Sequence, residues 1–190
     1  MRASGVAALA GRRPSKTNLD DRSVDVEVNR MRDEIQNVFI AQRVQMIVSS
    51  AAAGVDLLGL LVAGSLGIRR VVVLPFSAAR FRGSSVADCG AKWAALFDQI
   101  LEDVTADGEV VVLNDHTPAE QAYRRANHAI LQRALAAAGA SAGRADPLAI
   151  AVWEGQRHGG SDLTAEFVDE AGRLGFRVIQ ILTTKSEPAS

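Results

Sequence analysis

The sequence predicts an α/β fold in which a doubly wound, mostly parallel sheet of about six strands lies between two layers of helices. Two observations lead to this fold class. Apolar runs of strand length recur along the 190 residues, and most are continuously apolar rather than alternating. Parallel strands are covered on both faces and therefore need such continuous runs. Segments of helix length separate most of the runs, as right-handed crossovers between parallel strands require.

The predicted elements follow one another along the whole chain. The strands are expected at residues 6–10, 44–48, 70–74, 110–113, 148–153 and 178–182. The segments between them carry apolar residues at helical spacing or are apolar nearly all round, and they predict helices at 23–39, 56–66, 91–104, 118–138 and 163–174. Pro118 suits the first turn of its helix, and Gly139 suits the C-terminal cap.

The length of the chain is typical of one domain. We predict a single three-layer α/β/α, Rossmann-like domain over residues 1–190, with frayed ends near residues 1–4 and 184–190. The most apolar stretch, residues 51–74, contains Asp56, Arg69 and Arg70. A charge at bilayer depth costs about 3 kcal/mol, so we interpret the stretch as a helix and a buried strand and expect no membrane partner.

The amino-acid composition of the chain limits the classes of partner and cofactor that we expect. The formal net charge is −1, which gives no indication of nucleic acid as a partner. Cys89 is the single cysteine and cannot form an intrachain disulfide, which fits a reducing, cytoplasmic location. The three histidines lack metal-ligand spacing to one another or to Cys89, so no metal is predicted. The dinucleotide fingerprint and the Walker A motif are both missing, and no cofactor is predicted.

Ligands of open parallel sheets bind beyond the carboxyl ends of the strands. Two loops at these positions, residues 49–54 and 159–161, consist of small residues. Their backbone N–H groups can approach a ligand closely, and the helix that follows each loop directs its positive end there. Small residues also permit tight turns without any ligand. Two such loops at one edge, together with Arg12, Arg13 and Arg157, favour an anionic ligand.

The acidic residues at this edge also have structural interpretations. Asp56 begins a very apolar helix, where a carboxylate caps N–H groups. Asp162 is placed to be the N-cap of the last helix. Glu166 lies in the first turn of that helix, where interaction with the helix dipole is sufficient to explain it.

Four stretches of the chain resemble the SLOG (Smf/DprA-LOG) superfamily of Rossmann-like domains. They are residues 49–56, 74–93, 123–127 and 151–161. The most specific is the run with Phe76, Phe81, Ser84-Ser85-Val86, Trp93 and Phe97. The sequence is most similar to SLOG domains associated with bacterial cyclases and effector proteins.

The resemblance implies a domain that binds or senses a nucleotide or nucleotide-derived small molecule at the carboxyl edge of the sheet. Since SLOG relatives often self-associate, it also implies a homodimer. Together with the strand-end positions, it assigns ligand binding to Gly11, Arg12, Ser49, Ser50, Gly54, Asp56, Phe76, Ser84, Arg125, Asn127, Glu154, Gly155, Gly159, Gly160, Ser161 and Thr164.

Two alternatives remain beside the binding module. LOG enzymes cleave the N-glycosidic bond of a nucleotide with a PGGxGTxxE motif and an arginine on the preceding helix. This chain keeps Gly159, Gly160 and Glu166 at matching spacing, but Ala126 stands where the arginine is expected, one residue from Arg125. The first alternative is therefore a phosphoribohydrolase-like enzyme with Glu166 as its catalytic carboxylate. The second is an interaction module with a vestigial pocket.

Overall fold

The computed structural model describes residues 5–14, 22–140 and 147–183. In these ranges strands and helices alternate in the order β1 (Gly5–Gly11), α1 (Arg22–Ala41), β2 (Val44–Ser49), α2 (Val55–Ser65), β3 (Arg69–Leu74), α3 (Ala78–Ser85), α4 (Ala91–Asp107), β4 (Glu109–Val112), α5 (Ala119–Ala140), β5 (Leu148–Trp153), α6 (Leu163–Arg173) and β6 (Arg177–Leu182). A single 3₁₀ turn, Ala87–Cys89, joins α3 to α4.

The described strands form one parallel sheet in the order β4-β3-β2-β1-β5-β6. The chain winds outward from β1 to β4, and α5 then carries it back across the sheet to β5 on the other side of β1. In register, Leu9 of β1 lies between Ser49 of β2 and Ile150 of β5. The winding direction thus reverses at β1, which makes its carboxyl end the topological switch point where such sheets bind ligands.

Two apolar cores cover the two faces of the sheet because successive side chains of each strand point in opposite directions. Ala7 and Leu9 pack with α1, α2 and α4, whereas Val6 and Ala8 pack with α5 and α6. Helix α2 lies very close to β1, since a Cβ atom at Gly59 would be 2.0 Å from Cδ2 of Leu9. This close approach fixes the N-terminal end of α2 beside the end of β1.

The predicted fold class, a three-layer Rossmann-like domain with a parallel sheet, is confirmed. The strand boundaries differ from the predicted ones by one residue at most. The expected cap at Gly139 is wrong, because α5 continues through this residue to Ala140 without a left-handed backbone there. Helix α3 was not predicted. The predicted frayed ends, residues 1–4 and 184–190, lie outside the described residues.

None of the helices in the described ranges combines the length and the apolar character that crossing a membrane requires.

Candidate functional site

A cavity of about 320 Å³ opens at the carboxyl edge of the sheet, at the switch point beside β1. The ends of β1, β2 and β3 form its floor, and the starts of α5 and α6 close it on one side. Its lining comprises Ala10, Gly11, Arg12, Arg13, Ser50, Ala52, Asp56, Pro75, Phe81, Ser85, Tyr123, Ala126, Asn127, Ser161, Asp162, Leu163 and Thr164. A cavity of this size is at the lower end of the range for small-molecule and single-nucleotide sites.

Arg12 connects the end of β1 to the loop after β5. Its guanidinium donates to both carboxylate oxygens of Glu154 at 2.7–3.1 Å and to those of Asp162 at 2.5 and 2.8 Å. It also lies 5.5 Å from the centre of the Trp153 ring. These hydrogen bonds hold the pKa values of Asp162 and Glu154 below their ordinary values. The charge of Arg12 is therefore largely balanced before any ligand binds.

A carboxylate lies beside the loop of residues 159–161, which we expected to form an anion cradle. The carboxylate of Asp162 accepts hydrogen bonds from the backbone N–H of Ala165 at 3.0 Å and of His158 at 2.9 Å. Asp162 is thus the N-cap of α6, and it places a carboxylate that opposes an anion at the start of this helix. Gly159 and Gly160 are exposed and do not line the cavity.

The small-residue turn after β2 brings two side chains together at the cavity. Gly54, with a φ of 93°, turns the chain into α2. Ser50 Oγ then donates to Oδ2 of Asp56 at 2.5 Å. The preceding Ser49 is buried instead, and its hydroxyl donates to the Leu9 carbonyl at 2.9 Å. Ser50 and Asp56 therefore belong to the cavity, whereas Ser49 holds β2 to β1.

Asp56 is a buried carboxylate on the cavity wall, 7% exposed. Burial raises its pKa to about 6, against the opposing effects of the Ser50 hydroxyl, the Ala52 N–H and the positive charge of Arg13. Its Oδ1 atom accepts no hydrogen bond from the residues that the structure describes. Most buried polar atoms in proteins have a partner, so this oxygen needs an explanation.

Tyr123, on the first turns of α5, supplies an aromatic ring to the cavity. Its hydroxyl lies 2.8 Å from Ser85 Oγ and 3.1 Å from Ser84 Oγ. Its ring meets Phe76 and Phe81 edge to face, with centroids 5.7 and 6.4 Å away. These contacts hold the ring in one orientation at the boundary between α3 and α5.

Arg13 is the second cation of the lining. It forms an ion pair with Asp88, and it donates to Sγ of Cys89 at 3.1 Å. Its side chain is 37% exposed, more than that of Arg12 at 24%. Arg13 is therefore the cation of the lining that is better placed to exchange its partner for an incoming phosphate.

Glu166, predicted as a catalytic carboxylate, does not line this cavity. It lies on α6 and accepts hydrogen bonds from Arg124 at 2.7 and 3.2 Å, which lower its pKa. Glu166 and Arg124 face a separate surface depression beside α5 and α6. Arg124, and not Arg125, is thus the arginine that meets this glutamate. Arg125 reaches Asp115 at 3.5 Å instead.

The structure brings together only part of the predicted ligand-binding set. The predicted residues that line the cavity are Gly11, Arg12, Ser50, Asp56, Asn127, Ser161 and Thr164. Glu154, Phe76 and Ser84 lie just behind it, in contact with Arg12 or Tyr123. The remainder do not line it: Ser49, Gly54, Arg125, Gly155, Gly159 and Gly160.

Tyr123, Phe81, Ser85 and Ala126 line the cavity although none was predicted to bind a ligand. Phe81 and Ser85 lie on α3, which begins four residues after β3, whereas Tyr123 and Ala126 lie on α5, which follows the edge strand β4. A search of the ends of the central strands therefore misses Tyr123 and Ala126. The signal that was available is the aromatic run with Phe76 and Phe81, which indicates an aromatic wall near this edge.

Comparisons with known proteins give a fold but no close relative. No protein-family model and no curated protein matches the sequence. DNA processing protein A from Streptococcus pneumoniae is similar in structure, with a TM-score of 0.53 and 14% identity over 97% of this chain. The match covers 52% of that protein, so the chain spans about half its length. DNA processing protein A from Helicobacter pylori matches with a TM-score of 0.43 and 11% identity, over 93% of this chain and 75% of that protein. The structure of that protein describes a single-stranded DNA binding mode.

These similarities correct two expectations from the sequence. A small nucleotide-like molecule was expected as the ligand, and nucleic acid was excluded as a partner. Both expectations are wrong, since the chain is similar in structure to a DNA processing protein. The error came from the net charge of −1, which averages over the whole surface and says nothing about a local groove. The recognition of the fold is confirmed: the chain shares a Rossmann-like fold with DNA processing protein A from Streptococcus pneumoniae.

Proposed function

We propose that the protein binds single-stranded DNA at the carboxyl edge of its sheet, with one nucleotide seated in the cavity beside β1. The observation that carries this proposal is the composition of that cavity. It combines an oriented aromatic ring, Tyr123, with the cation Arg13 and with short polar side chains such as Ser50 and Ser85. Proteins that bind single strands combine aromatic platforms for the bases with cations for the backbone.

The dimensions of the cavity favour a single strand over a duplex. Its volume of about 320 Å³ suits one nucleotide unit, and its walls are the ends of separate elements on several sides. A paired and stacked base cannot enter such a space unless it leaves the helix, which costs a few kcal/mol. An unpaired nucleotide enters without most of this cost.

The aromatic wall provides a contact that is tolerant of sequence. Every base has a π face, and stacking on an aromatic side chain contributes about 1–3 kcal/mol per base. Tyr123 is held for this role by its hydroxyl contacts to Ser84 and Ser85 and by Phe76 and Phe81 behind its ring. An oriented ring loses little further conformational freedom when a base stacks on it.

The charges of the cavity are suited to one or two phosphates rather than to a long electrostatic track. Arg12 is already paired with Glu154 and Asp162. Arg13 is half-exposed, and α2 directs its N-terminal end toward the same space. We therefore expect the affinity to depend mainly on the base in the cavity, with a modest contribution from the backbone.

The structural similarity supports this proposal at the level of the fold. DNA processing protein A from Streptococcus pneumoniae shares this fold over 97% of the chain.

Obstruction of the cavity tests the proposal. Ala52 lines the cavity and is half-buried, so Ala52→Leu fills part of the space without adding charge or an aromatic ring. Ala106→Leu is the matched control, because Ala106 is exposed on the last turns of α4, far from the cavity. Binding is measured by fluorescence anisotropy with a labelled single strand of about 12 nucleotides.

We expect Ala52→Leu to weaken binding about tenfold or more and Ala106→Leu to leave it within about twofold, a tenfold change being about 1.4 kcal/mol. A duplex of the same sequence should bind more weakly than the single strand. Equal binding by the wild-type protein and by Ala52→Leu, with both folded, would place the DNA elsewhere. No binding of single strands by the wild-type protein would remove the proposal.

A further inference from the structure

Arg80 is an exposed cation on α3 that forms no ion pair within the described part of the chain. Arg12 and Arg13 both have carboxylate partners, whereas the guanidinium of Arg80 contacts only an aromatic ring. Arg80 also lies in the first turn of α3, where the helix dipole favours anions rather than cations. Neither an ion pair nor the helix therefore accounts for its charge.

The guanidinium of Arg80 is held against the ring of Phe76. Its Cζ atom lies 3.7 Å from the ring centroid, which is the close approach of a cation–π contact. Phe76 is only 2% exposed, whereas Arg80 remains exposed. The guanidinium thus covers the ring on one side and faces solvent on the other.

Arg80 adjoins the aromatic wall of the cavity. The Phe76 ring, which Arg80 covers, meets the Tyr123 ring with centroids 5.7 Å apart. Ser84, one turn after Arg80 on the same face of α3, places its Oγ 3.1 Å from the Tyr123 hydroxyl. A Cβ atom at Gly83 would meet nothing within 4 Å, so the surface between Arg80 and Ser84 is open. A nucleotide next to the one in the cavity can therefore lie on this face of α3.

The charges around the cavity favour the α3 side as the path of the strand. In the sheet order, β3 and the α3 that follows it lie on one side of β1, and β5 lies on the other. On the β5 side one cation, Arg12, faces two carboxylates, those of Glu154 and Asp162, and their excess negative charge repels phosphates. On the α3 side, Arg80 adds a positive charge that no described carboxylate neutralises.

We propose, on the basis of the single-stranded DNA binding proposed above, that the exposed face of α3 is a second nucleotide subsite, in which the base next to the one in the cavity stacks on the guanidinium of Arg80. Guanidinium planes serve as platforms for unpaired bases, and their charge adds a cation–π attraction to any base. The protein then binds two successive nucleotides, one on Tyr123 and the next on Arg80.

The test counts the bases that the protein contacts. It uses single strands of about 12 sugar-phosphate units that are abasic except for thymines at chosen positions. One strand carries a single thymine, a second carries two adjacent thymines, and a third carries two thymines several units apart. All three have the same backbone charge, and thymines stack weakly on each other in the free strand. Anisotropy titrations compare the three strands, with an all-thymine strand of the same length as the reference.

We expect the wild-type protein to bind the adjacent pair about tenfold more tightly than the separated pair, the magnitude of one further stacked base. Arg80→Ala should bind the two pairs equally and keep the wild-type affinity for the single thymine within about twofold. Arg80→Lys keeps the charge without the planar group, so it should lose most of the tenfold gain. Arg82→Ala is the control on the same helix, since Arg82 pairs with Asp98, and it should keep the gain.

The outcomes separate the two proposals. Equal binding of the adjacent and the separated pair by the wild-type protein overturns the second subsite and leaves binding in the cavity intact. A gain that persists in Arg80→Ala also overturns it. If Arg80→Ala weakens the single-thymine strand as much as the adjacent pair, Arg80 acts only by covering Phe76 behind Tyr123, and the subsite is again overturned. Failure of the wild-type protein to bind the all-thymine strand overturns the proposed function, and the second subsite with it.

Discussion

Ser50 Oγ donates a 2.5 Å hydrogen bond to Oδ2 of Asp56, across the turn that connects the end of β2 to α2. The pair lies on the wall of the cavity, and the other oxygen of the carboxylate accepts nothing from the described residues. Such a half-satisfied buried group reduces the stability of the fold by about 1–3 kcal/mol. This relationship connects the stability of the protein to the chemistry of its site.

The stability of the protein should depend on pH through Asp56. Burial raises the pKa of this group to about 6 in the folded protein, above its ordinary value, so the folded state binds the proton more tightly than the unfolded state. The contribution of Asp56 to the free energy of unfolding is therefore most favourable below about pH 4. About 3 kcal/mol of this contribution is lost as the pH rises through about 6.

Asp56→Asn should remove this pH dependence. Urea denaturation should find the variant as stable as the wild-type protein at about pH 4 and about 3 kcal/mol more stable at about pH 8. Asp103→Asn, which changes an exposed carboxylate on α4, serves as the control and should change neither value appreciably. A loss of stability in Asp56→Asn that is the same at both pH values would contradict the account of the buried carboxylate.

Arg12→Ala should destabilise the fold in a pH-dependent manner. The substitution leaves Glu154 and Asp162 close together without their shared cation, at a cost of about 2 kcal/mol near neutral pH, because the group is partly exposed. Arg12 lowers the pKa values of both carboxylates, so its stabilisation is present above their unfolded pKa values and is lost as the pH falls through their folded values.

The difference in unfolding free energy between the wild-type protein and Arg12→Ala should therefore shrink below about pH 4. Arg82→Ala is a suitable control because Arg82 pairs with Asp98 on the exposed surface. If thermal or urea denaturation finds the two variants equally stable near neutral pH, Arg12 does not hold this edge of the sheet together.

Tyr123 should contribute to DNA binding through its ring and not through its hydroxyl. Tyr123→Ala removes the stacking surface and should weaken binding of a single strand about tenfold, within the range measured for one stacked base. Tyr123→Phe keeps the ring and loses only the contacts to Ser84 and Ser85, so it should bind within about threefold of the wild-type protein. Anisotropy titrations on both variants, with melting temperatures to verify folding, decide this point. Equal losses in the two variants would assign the effect to the hydroxyl.

The salt dependence of binding should be shallow. For single strands, the slope of log K against log salt concentration is about −0.7 for each phosphate neutralised, and the cavity offers one or two cations. Arg13→Ala should reduce the magnitude of the slope by about 0.7. Arg69→Ala, at the opposite edge of the sheet, should leave it unchanged. A steep slope that Arg13→Ala does not alter would indicate a binding surface other than the cavity.

The fold was predictable because the apolar runs have a direct physical cause. Residues 148–153 are apolar throughout because both faces of β5 are covered, and every one of them is buried. Helix α3 escaped prediction since Gly83, Ser84 and Ser85 are weak helix formers. It is stabilised instead by a tertiary contact, the stacking of the Phe81 ring on Phe97 at 6.3 Å, and by Ser77, which caps its first turn.

The site was predictable where it follows a central strand and where the family resemblance covers it, as at Asn127. Ser50 and Asp56 lie directly after β2, so the rule of strand ends identifies them. Tyr123 lies on a helix whose position depends on how α5 crosses the sheet, and no local pattern gives that path. The bond from Arg12 to Asp162 joins residues 150 positions apart, so only the three-dimensional structure shows that this cation is paired.

Ultraviolet cross-linking of a mixed-sequence single strand to the wild-type protein, followed by mass spectrometry of the peptides, tests the central claim most directly. We predict that a nucleotide becomes attached at Tyr123 or at the segment with Phe76 and Phe81, and that Ala52→Leu reduces this attachment while Ala106→Leu does not. Cross-links confined to peptides that do not line the cavity, at full binding, would show that single-stranded DNA does not occupy the carboxyl edge of the sheet.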